Sequence, residues 1–208
     1  MKEELATQNL VSQAKAGSSK AVEELCRRYQ QRVLAAVRLR IGKGLRRKVE
    51  SWDIVQEAMI DAFKGIDAFD FRTEGAFLKY VNKIVENRIR DAAQHWKAKR
   101  RDVDREMRYD APAKQDEAPR FDGLADNAAL SPSRVISTQE DLALLEQAMD
   151  LLGQDDPVQQ ELIIAMNLEG RTYSELSEEL GISVDAVRMR SRRAMESLAK
   201  IFRRLERS

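Results

Sequence analysis

Apolar residues recur at steps of three and four along most of this 208-residue chain. This spacing places apolar side chains on one face of an α-helix, whereas a strand requires a period of two. Within residues 5–41 the periodic positions include Leu10, Ala14, Ala21, Leu25 and Val37. The pattern predicts an all-α fold whose first two helices are separated near residues 17–19, because no segment alternates for long in the strand pattern.

The periodicity fades between residues 102 and 137. Pro112, Pro119 and Pro132 fall there among scattered aspartates. A segment of this composition offers little apolar surface to bury and favours no regular element. We therefore predict a flexible acidic linker at 102–137, joining a helical domain at 1–101 to a second small helical domain at 138–208.

The composition restricts the class of protein. Charged residues make up 34% of the chain and hydrophobic residues 43%. No apolar run approaches the roughly 18 residues of a membrane span, and no secretory signal is apparent, so a cytoplasmic protein without membrane insertion is predicted. Cys26 and His95 stand alone, which predicts no metal site, no cofactor and no catalytic residue.

The segment TYSELSEELGISVDAVRMRSRRAMESL, residues 172–198, has the layout of a helix-turn-helix. Gly181 suits the left-handed turn between two helices, and Ser183 suits the N-cap of the second. Leu176, Ile182 and Val187 can hold the two helices together. The second helix carries Asp185, Arg188 and Arg192 on one side, flanked by Arg190 and Arg193. This face is either a reader of the DNA major groove or the solvated face of an ordinary helical hairpin.

Residues 51–101 closely resemble region two of the extracytoplasmic-function (ECF) subfamily of bacterial sigma-70-type sigma factors, and residues 140–205 resemble their region four. The resemblance covers over half the chain, in the family's order. It implies a region-two helical bundle and a region-four helix-turn-helix. It also implies a non-catalytic protein that binds core RNA polymerase and directs promoter-specific initiation through the minus-ten and minus-thirty-five elements.

The resemblance assigns roles to individual residues. The family's acidic D-x-V-Q-E helix docks on polymerase, and the matching core-binding residues are Asp53, Val55, Gln56 and Glu57. For minus-ten DNA it indicates a base-capturing loop and the polar side of the next helix, with basic residues beyond: Arg72, Thr73, Glu74, Lys83, Asn87, Arg90, Asp91, Gln94, Lys97, Arg100 and Arg101. For minus-thirty-five DNA it indicates Ser183, Asp185, Ala186, Arg188, Arg190, Arg192 and Arg193.

Structural interpretations compete at several of these positions. The acids near Asp53 could simply favour the start of a helix. Phe71 and Phe77, which border the capture loop, are predicted to be core anchors, and His95 is predicted to belong to a polar surface. The chain also departs from the family at Tyr80, where tryptophan is frequent, and at Ala186, where threonine is frequent, so the promoter sequence is not predicted.

Two other functional classes fit parts of the chain. An ordinary helix-turn-helix regulator with an N-terminal dimerisation domain explains residues 172–198 but not the motif beginning at Asp53. A helical nuclease using paired carboxylates is the second alternative. The sequence has many acidic residues but no nucleophile motif and no phosphate-binding loop. By resemblance, an anti-sigma factor is a further expected partner. Whether the two domains pack together without polymerase is left open.

Overall fold

A computed structural model describes the backbone of residues 2–41, 43–46, 49–71, 75–106 and 139–205. Side chains are described for these residues except 2–5, 43, 44, 97–106 and 139. Every regular element of these ranges is helical, so the predicted all-α fold is confirmed. The predicted linker at 102–137 lies largely outside the described residues. No helix in the described ranges is long and apolar enough to cross a membrane.

Within the described residues, five helices form the N-terminal half: α1 (Lys2–Lys15), α2 (Ser19–Arg40), α3 (Lys43–Arg46), α4 (Ser51–Lys64) and α5 (Ala76–Glu106). The break between α1 and α2 falls where it was predicted, because Ser18 caps α2 by accepting a hydrogen bond from Ala21 N. A short 3₁₀ turn, Ile66–Ala68, follows α4. Helix α5 continues past residue 101, where the sequence pattern suggested its end.

Between residues 139 and 205, four helices form the C-terminal half: α6 (Gln139–Asp155), α7 (Pro157–Ile163), α8 (Tyr173–Leu180) and α9 (Val184–Leu205). Asp156 caps α7 by accepting hydrogen bonds from Val158 N and Gln159 N, and Pro157 occupies the first helical turn, where its missing N–H costs nothing. A π-helical turn, Ile164–Leu168, extends α7. Single π turns of this kind are frequent at functional positions.

The core of the N-terminal half is built around Phe77, whose side chain is 1% exposed. Its ring lies 5.2 Å from the ring of Tyr29, 5.9 Å from that of Phe69 and 6.1 Å from that of Phe63. Leu25 packs into the same cluster. The prediction that Phe77 anchors the core is therefore confirmed, and Phe71 packs half-buried at its margin.

A second core joins the two halves of the chain. Ala35 and Ala36 of α2 are buried against residues of α6 and α9, among them Leu145, Met149 and Leu198. A third, smaller cluster of Leu162, Met166, Leu176 and Val187 belongs to the C-terminal half alone. The sequence left open whether the halves pack together; in this structure they share an apolar contact along α2.

Candidate nucleic-acid and protein-binding surfaces

Helices α8 and α9 form the predicted helix-turn-helix. Gly181 ends α8 with φ 61°, in the left-handed region, and Ile182 N donates to Ser177 O across the turn. Ser183 Oγ accepts a hydrogen bond of 3.2 Å from Ala186 N, as expected of an N-cap. Leu176 and Val187 are buried together between the helices. Each residue type therefore has the local role that the sequence predicted.

Gly181 allows a specific stability test. No atom lies within 4 Å of the position that a Cβ would take there, so only the backbone conformation opposes a larger residue. We expect Gly181→Ala to lower the free energy of unfolding by about 1–2 kcal/mol. Gly181→Asn should cost less, because asparagine tolerates the left-handed region. Urea unfolding followed by circular dichroism measures both; equal losses would contradict a backbone origin.

The arginine-rich face of α9 points to solvent. Ser183, Asp185, Arg188, Arg190, Arg192 and Arg193 are all exposed, and Ala186 is half-buried. Arg188 pairs with Asp185 at 2.8 Å and lies over the ring of Tyr173, 5.2 Å from its centroid. Arg192 pairs with Glu196 at 3.0 Å. Both ion pairs are exposed to solvent, so they favour these side-chain orientations only weakly.

Sequence reasoning missed Met189 on this face. Its side chain is exposed, and its position four residues after Asp185 and three before Arg192 places it among the charged residues. An apolar group there can contact the methyl group of thymine in a major groove. The signal was available, since an apolar residue in the middle of an exposed charged face breaks the amphipathic pattern.

Helix α4 presents a mixed acidic and apolar face. Asp53, Gln56 and Glu57 are exposed, as the sequence predicted. Val55 is not: it is 2% exposed and belongs to the N-terminal core, because its position falls on the buried stripe of the helix. Direct contact between Val55 and a partner is therefore a wrong prediction; the residue holds α4 in place.

Two large apolar side chains accompany the acids on α4. Trp52 and Ile60 are exposed, and with Gln56 between them they follow one line along the helix at steps of four. The sequence predicted no role for either of these two side chains. Exposed apolar groups beside acids are typical of a protein-binding surface, since they gain from burial against a partner.

Two acids of α4 also form ion pairs with an arginine of the neighbouring helix α5. Arg88 of α5 pairs with Glu57 at 3.1 Å and donates two hydrogen bonds to Asp61. The hydrogen bond to Asp61 is the main cause of the raised pKa of Arg88. This bridge fixes α4 against α5, so the exposed face of α4 and the polar side of α5 have a defined relative orientation.

One side of α5 is polar, as predicted. Lys83, Asn87, Arg90, Asp91 and Gln94 are all exposed, opposite buried Val81 and Val85. Lys83 pairs with Glu86 at 2.8 Å, and Arg90 donates to Asn87 Oδ1 at 3.1 Å. His95 lies on the exposed surface, in agreement with the sequence interpretation. Six of the predicted contacts lie outside the described residues or side chains: Arg72, Thr73, Glu74, Lys97, Arg100 and Arg101.

These features are surfaces rather than an enclosed reaction site. No group of three or more potential metal-ligating side chains occurs within the described ranges. Cys26 is half-buried, and burial raises the pKa of its thiol, so the reactive thiolate form is disfavoured. A helix-turn-helix with an exposed arginine face, supported on a helical body, defines the chain as a helical transcription protein of the DNA-binding class.

Comparison with known proteins makes that class specific. The family model described as ECF sigma factor matches residues 4–204. The chain therefore belongs to the ECF sigma factor family. The ECF prediction made from the sequence is confirmed, and membership makes the protein a promoter-directing transcription initiation factor.

Individual relatives are distant but cover almost the whole chain. The ECF RNA polymerase sigma-E factor of Escherichia coli (strain K12) is 28% identical over 201 residues, which cover 95% of each chain. The RNA polymerase sigma-H factor of Bacillus licheniformis is 26% identical over 200 residues, 95% of this chain and 86% of its own. The structure of CnrH in complex with the cytosolic domain of CnrY matches with a TM-score of 0.46 at 22% identity, covering 94% and 96% of the two chains.

Proposed function

We propose that this sigma factor binds core RNA polymerase through the exposed face of α4. Asp53, Gln56 and Glu57 offer acceptors to basic groups of the partner, and Trp52 and Ile60 contribute apolar area beside them. The supporting observation is the combination of these five exposed side chains with the rigid Arg88 support behind them. Apolar anchors surrounded by a polar rim are the usual composition of a protein–protein interface.

Two DNA-reading surfaces complete the proposal. The polar side of α5 and the residues 72–74 that precede it bind the minus-ten element. The arginine face of α9 reads the minus-thirty-five duplex, with Met189 available to thymine methyl groups. We divide the chain into a minus-ten and polymerase-binding domain at 1–101, a linker at 102–137 and a minus-thirty-five domain at 138–208. Tethering two weak readers raises their joint affinity through effective concentration.

The proposed role is non-catalytic, because polymerase performs the chemistry while this chain selects the start site. It operates on promoter DNA in the cytoplasm. An anti-sigma factor stays a prediction from the family.

The test is promoter-dependent transcription by purified bacterial core polymerase, with and without the full chain, on a library of random upstream sequences. We expect specific initiation with the unaltered protein and loss of at least tenfold with Asp53→Arg/Glu57→Arg, because like charges across an interface cost several kcal/mol. The matched control is Glu23→Arg/Asp150→Arg, which reverses two exposed acids on α2 and α6. Binding of duplex DNA without initiation would instead support an ordinary helix-turn-helix regulator.

A further inference from the structure

The lysine that ends the first helix makes contacts far from its own position in the sequence. Lys15 is the last residue of α1, and its ammonium group donates to Asp67 O at 3.1 Å and to Phe69 O. These acceptors lie 52 and 54 positions further along the chain, in and just after the 3₁₀ turn that follows α4. An ammonium group carries several donors, so one lysine can hold two carbonyl groups at once. The segment after α4 is therefore attached to α1.

The contacts of Lys15 exceed what a lysine at a helix end ordinarily does. A cation in the last turn of a helix interacts favourably with the negative end of the helix dipole, and that effect alone involves no other element. Both acceptors of Lys15 belong to a different part of the fold. Helix α1 is itself packed on the N-terminal core through Val11 and Ala14, which are both buried. The ammonium group thus extends from a backbone that does not need Lys15 to stay in place.

The segment that Lys15 contacts ends in a group of aromatic rings. Phe69 is buried and stacks on the ring of Tyr80 in α5, with centroids 4.8 Å apart and planes inclined by 26°. The hydroxyl group of Tyr80 donates to Ala62 O at 3.0 Å, so this ring is held as well. Phe71 meets Phe69 edge-on. The backbone of Phe69 therefore contacts α1 while its ring contacts α5.

This aromatic group borders the surface proposed to bind the minus-ten element. Phe69, Tyr80 and Lys83 line one side of an open cavity at the start of α5, and Lys83 is one of the predicted minus-ten contacts. Aromatic rings beside a cation are the combination that proteins use to bind unpaired nucleotides, because a ring stacks with a base and a cation attracts its phosphate. The shape of this part of the surface depends on where Phe69 lies.

We propose that Lys15 is a positioning residue for promoter opening. Its two hydrogen bonds set the position of residues 66–71, and thereby of the Phe69 ring against α5, before DNA is bound. Lys15 does not itself touch DNA. The inference rests on the proposed minus-ten role of this surface. Separating the strands costs free energy that contacts to the unpaired strand must offset, and a surface already in its binding conformation loses less entropy on binding.

The first test measures the position of the segment in the free full-length protein by amide hydrogen exchange. The N–H groups of Ala68 and Phe69 donate to Gly65 O and Ile66 O, so their exchange reports on opening of the 3₁₀ turn. We expect Lys15→Met to speed exchange of these two amides about fivefold, the usual size for a lost hydrogen bond near the surface. The amides in the middle of α4 should exchange as before.

The second test compares transcription from two forms of one promoter, selected with the unaltered protein and core polymerase. One template is fully paired, and the other carries a mismatched template strand across the minus-ten element, so that this element is already open. We expect Lys15→Met to lower initiation from the paired template about fivefold and from the open template less than about twofold, because the open template removes the cost of strand separation.

Two further variants serve as controls in both tests. Lys15→Arg retains a cation that can donate to two carbonyl groups, so it should behave like the unaltered protein. Lys20→Met removes an exposed lysine from the neighbouring helix α2 and makes the same change of net charge. It should leave the exchange rates and both templates unaffected.

Several outcomes would overturn the role of Lys15. Unchanged exchange at Ala68 and Phe69 in Lys15→Met would show that the lysine does not hold the segment. Equal losses on the paired and open templates would assign the defect to folding or to polymerase binding. Losses in Lys20→Met as large as in Lys15→Met would indicate an effect of net charge. If the unaltered chain initiated on neither template, the proposed function would fail, while the exchange rates would still show whether Lys15 positions the segment.

Discussion

Phe77→Ala is expected to lower the free energy of unfolding by about 3–5 kcal/mol, the usual loss for a large buried aromatic residue. Phe77 is almost fully buried and contacts the rings of Tyr29, Phe63 and Phe69. Truncation removes all three contacts and leaves a cavity that the surrounding helices cannot fill, because α2, α4 and α5 all pack around it. A total stability of 5–15 kcal/mol makes such a loss a large fraction of the whole.

Chemical unfolding monitored by circular dichroism measures this effect, with Phe71→Ala as the control. Phe71 packs half-buried at the margin of the same cluster and meets Phe69 edge-on, with ring centroids 6.3 Å apart. Phe71→Ala should therefore lower the free energy of unfolding much less than Phe77→Ala does. A Phe71→Ala loss as large as that of Phe77→Ala would show that the core is not centred where the structure indicates.

Arg188→Ala/Arg192→Ala is expected to weaken binding to the selected minus-thirty-five duplex by at least 30-fold. Each well-placed arginine contributes about 1–3 kcal/mol of base discrimination, and each phosphate contact also contributes to the salt dependence. Both guanidinium groups are exposed on the same face of α9, where they can reach a DNA duplex.

The charge-matched control is Arg27→Ala/Lys20→Ala, which also removes two exposed cations. Arg27 forms an i,i+3 pair with Glu24, the same local arrangement as the pair of Arg188 with Asp185. Affinities come from titrations of labelled duplex at several salt concentrations. We expect Arg188→Ala/Arg192→Ala to reduce both the salt dependence of the affinity and the preference for the selected sequence. If Arg27→Ala/Lys20→Ala weakened binding equally, the effect would be one of net charge and the reading face would lie elsewhere.

The helix-turn-helix and the helix order follow from local sequence. Gly181, Ser183 and Val187 act on residues within a few positions, so periodicity and cap chemistry were sufficient to predict their roles. The prediction for Val55 was wrong for an equally local reason. The motif assigned by resemblance included a position that the helical period places in the core. Periodicity was the better guide there.

The ion pairs between the two halves, in which Arg40 contacts Glu161 and Glu169, could not be predicted in this way. Arg40 lies 121 positions from Glu161 and 129 from Glu169 in sequence, and each of the three resembles an ordinary solvated charge on its own helix. Lys79 and Glu175 also form an ion pair although they lie 96 positions apart in sequence. Only the fold brings the cations of one half against the acids of the other, and a single sequence holds no periodic signal for such pairs.

The small side chains of α2 in the core shared by the two halves affect how that contact depends on temperature. The buried residues that α2 contributes to the shared core are Ala35 and Ala36, with Leu34 and Leu39 at its margin. Parting the halves therefore uncovers little hydrocarbon on α2, and the associated change in heat capacity should be small. The strength of this contact between the halves is therefore expected to change little with temperature.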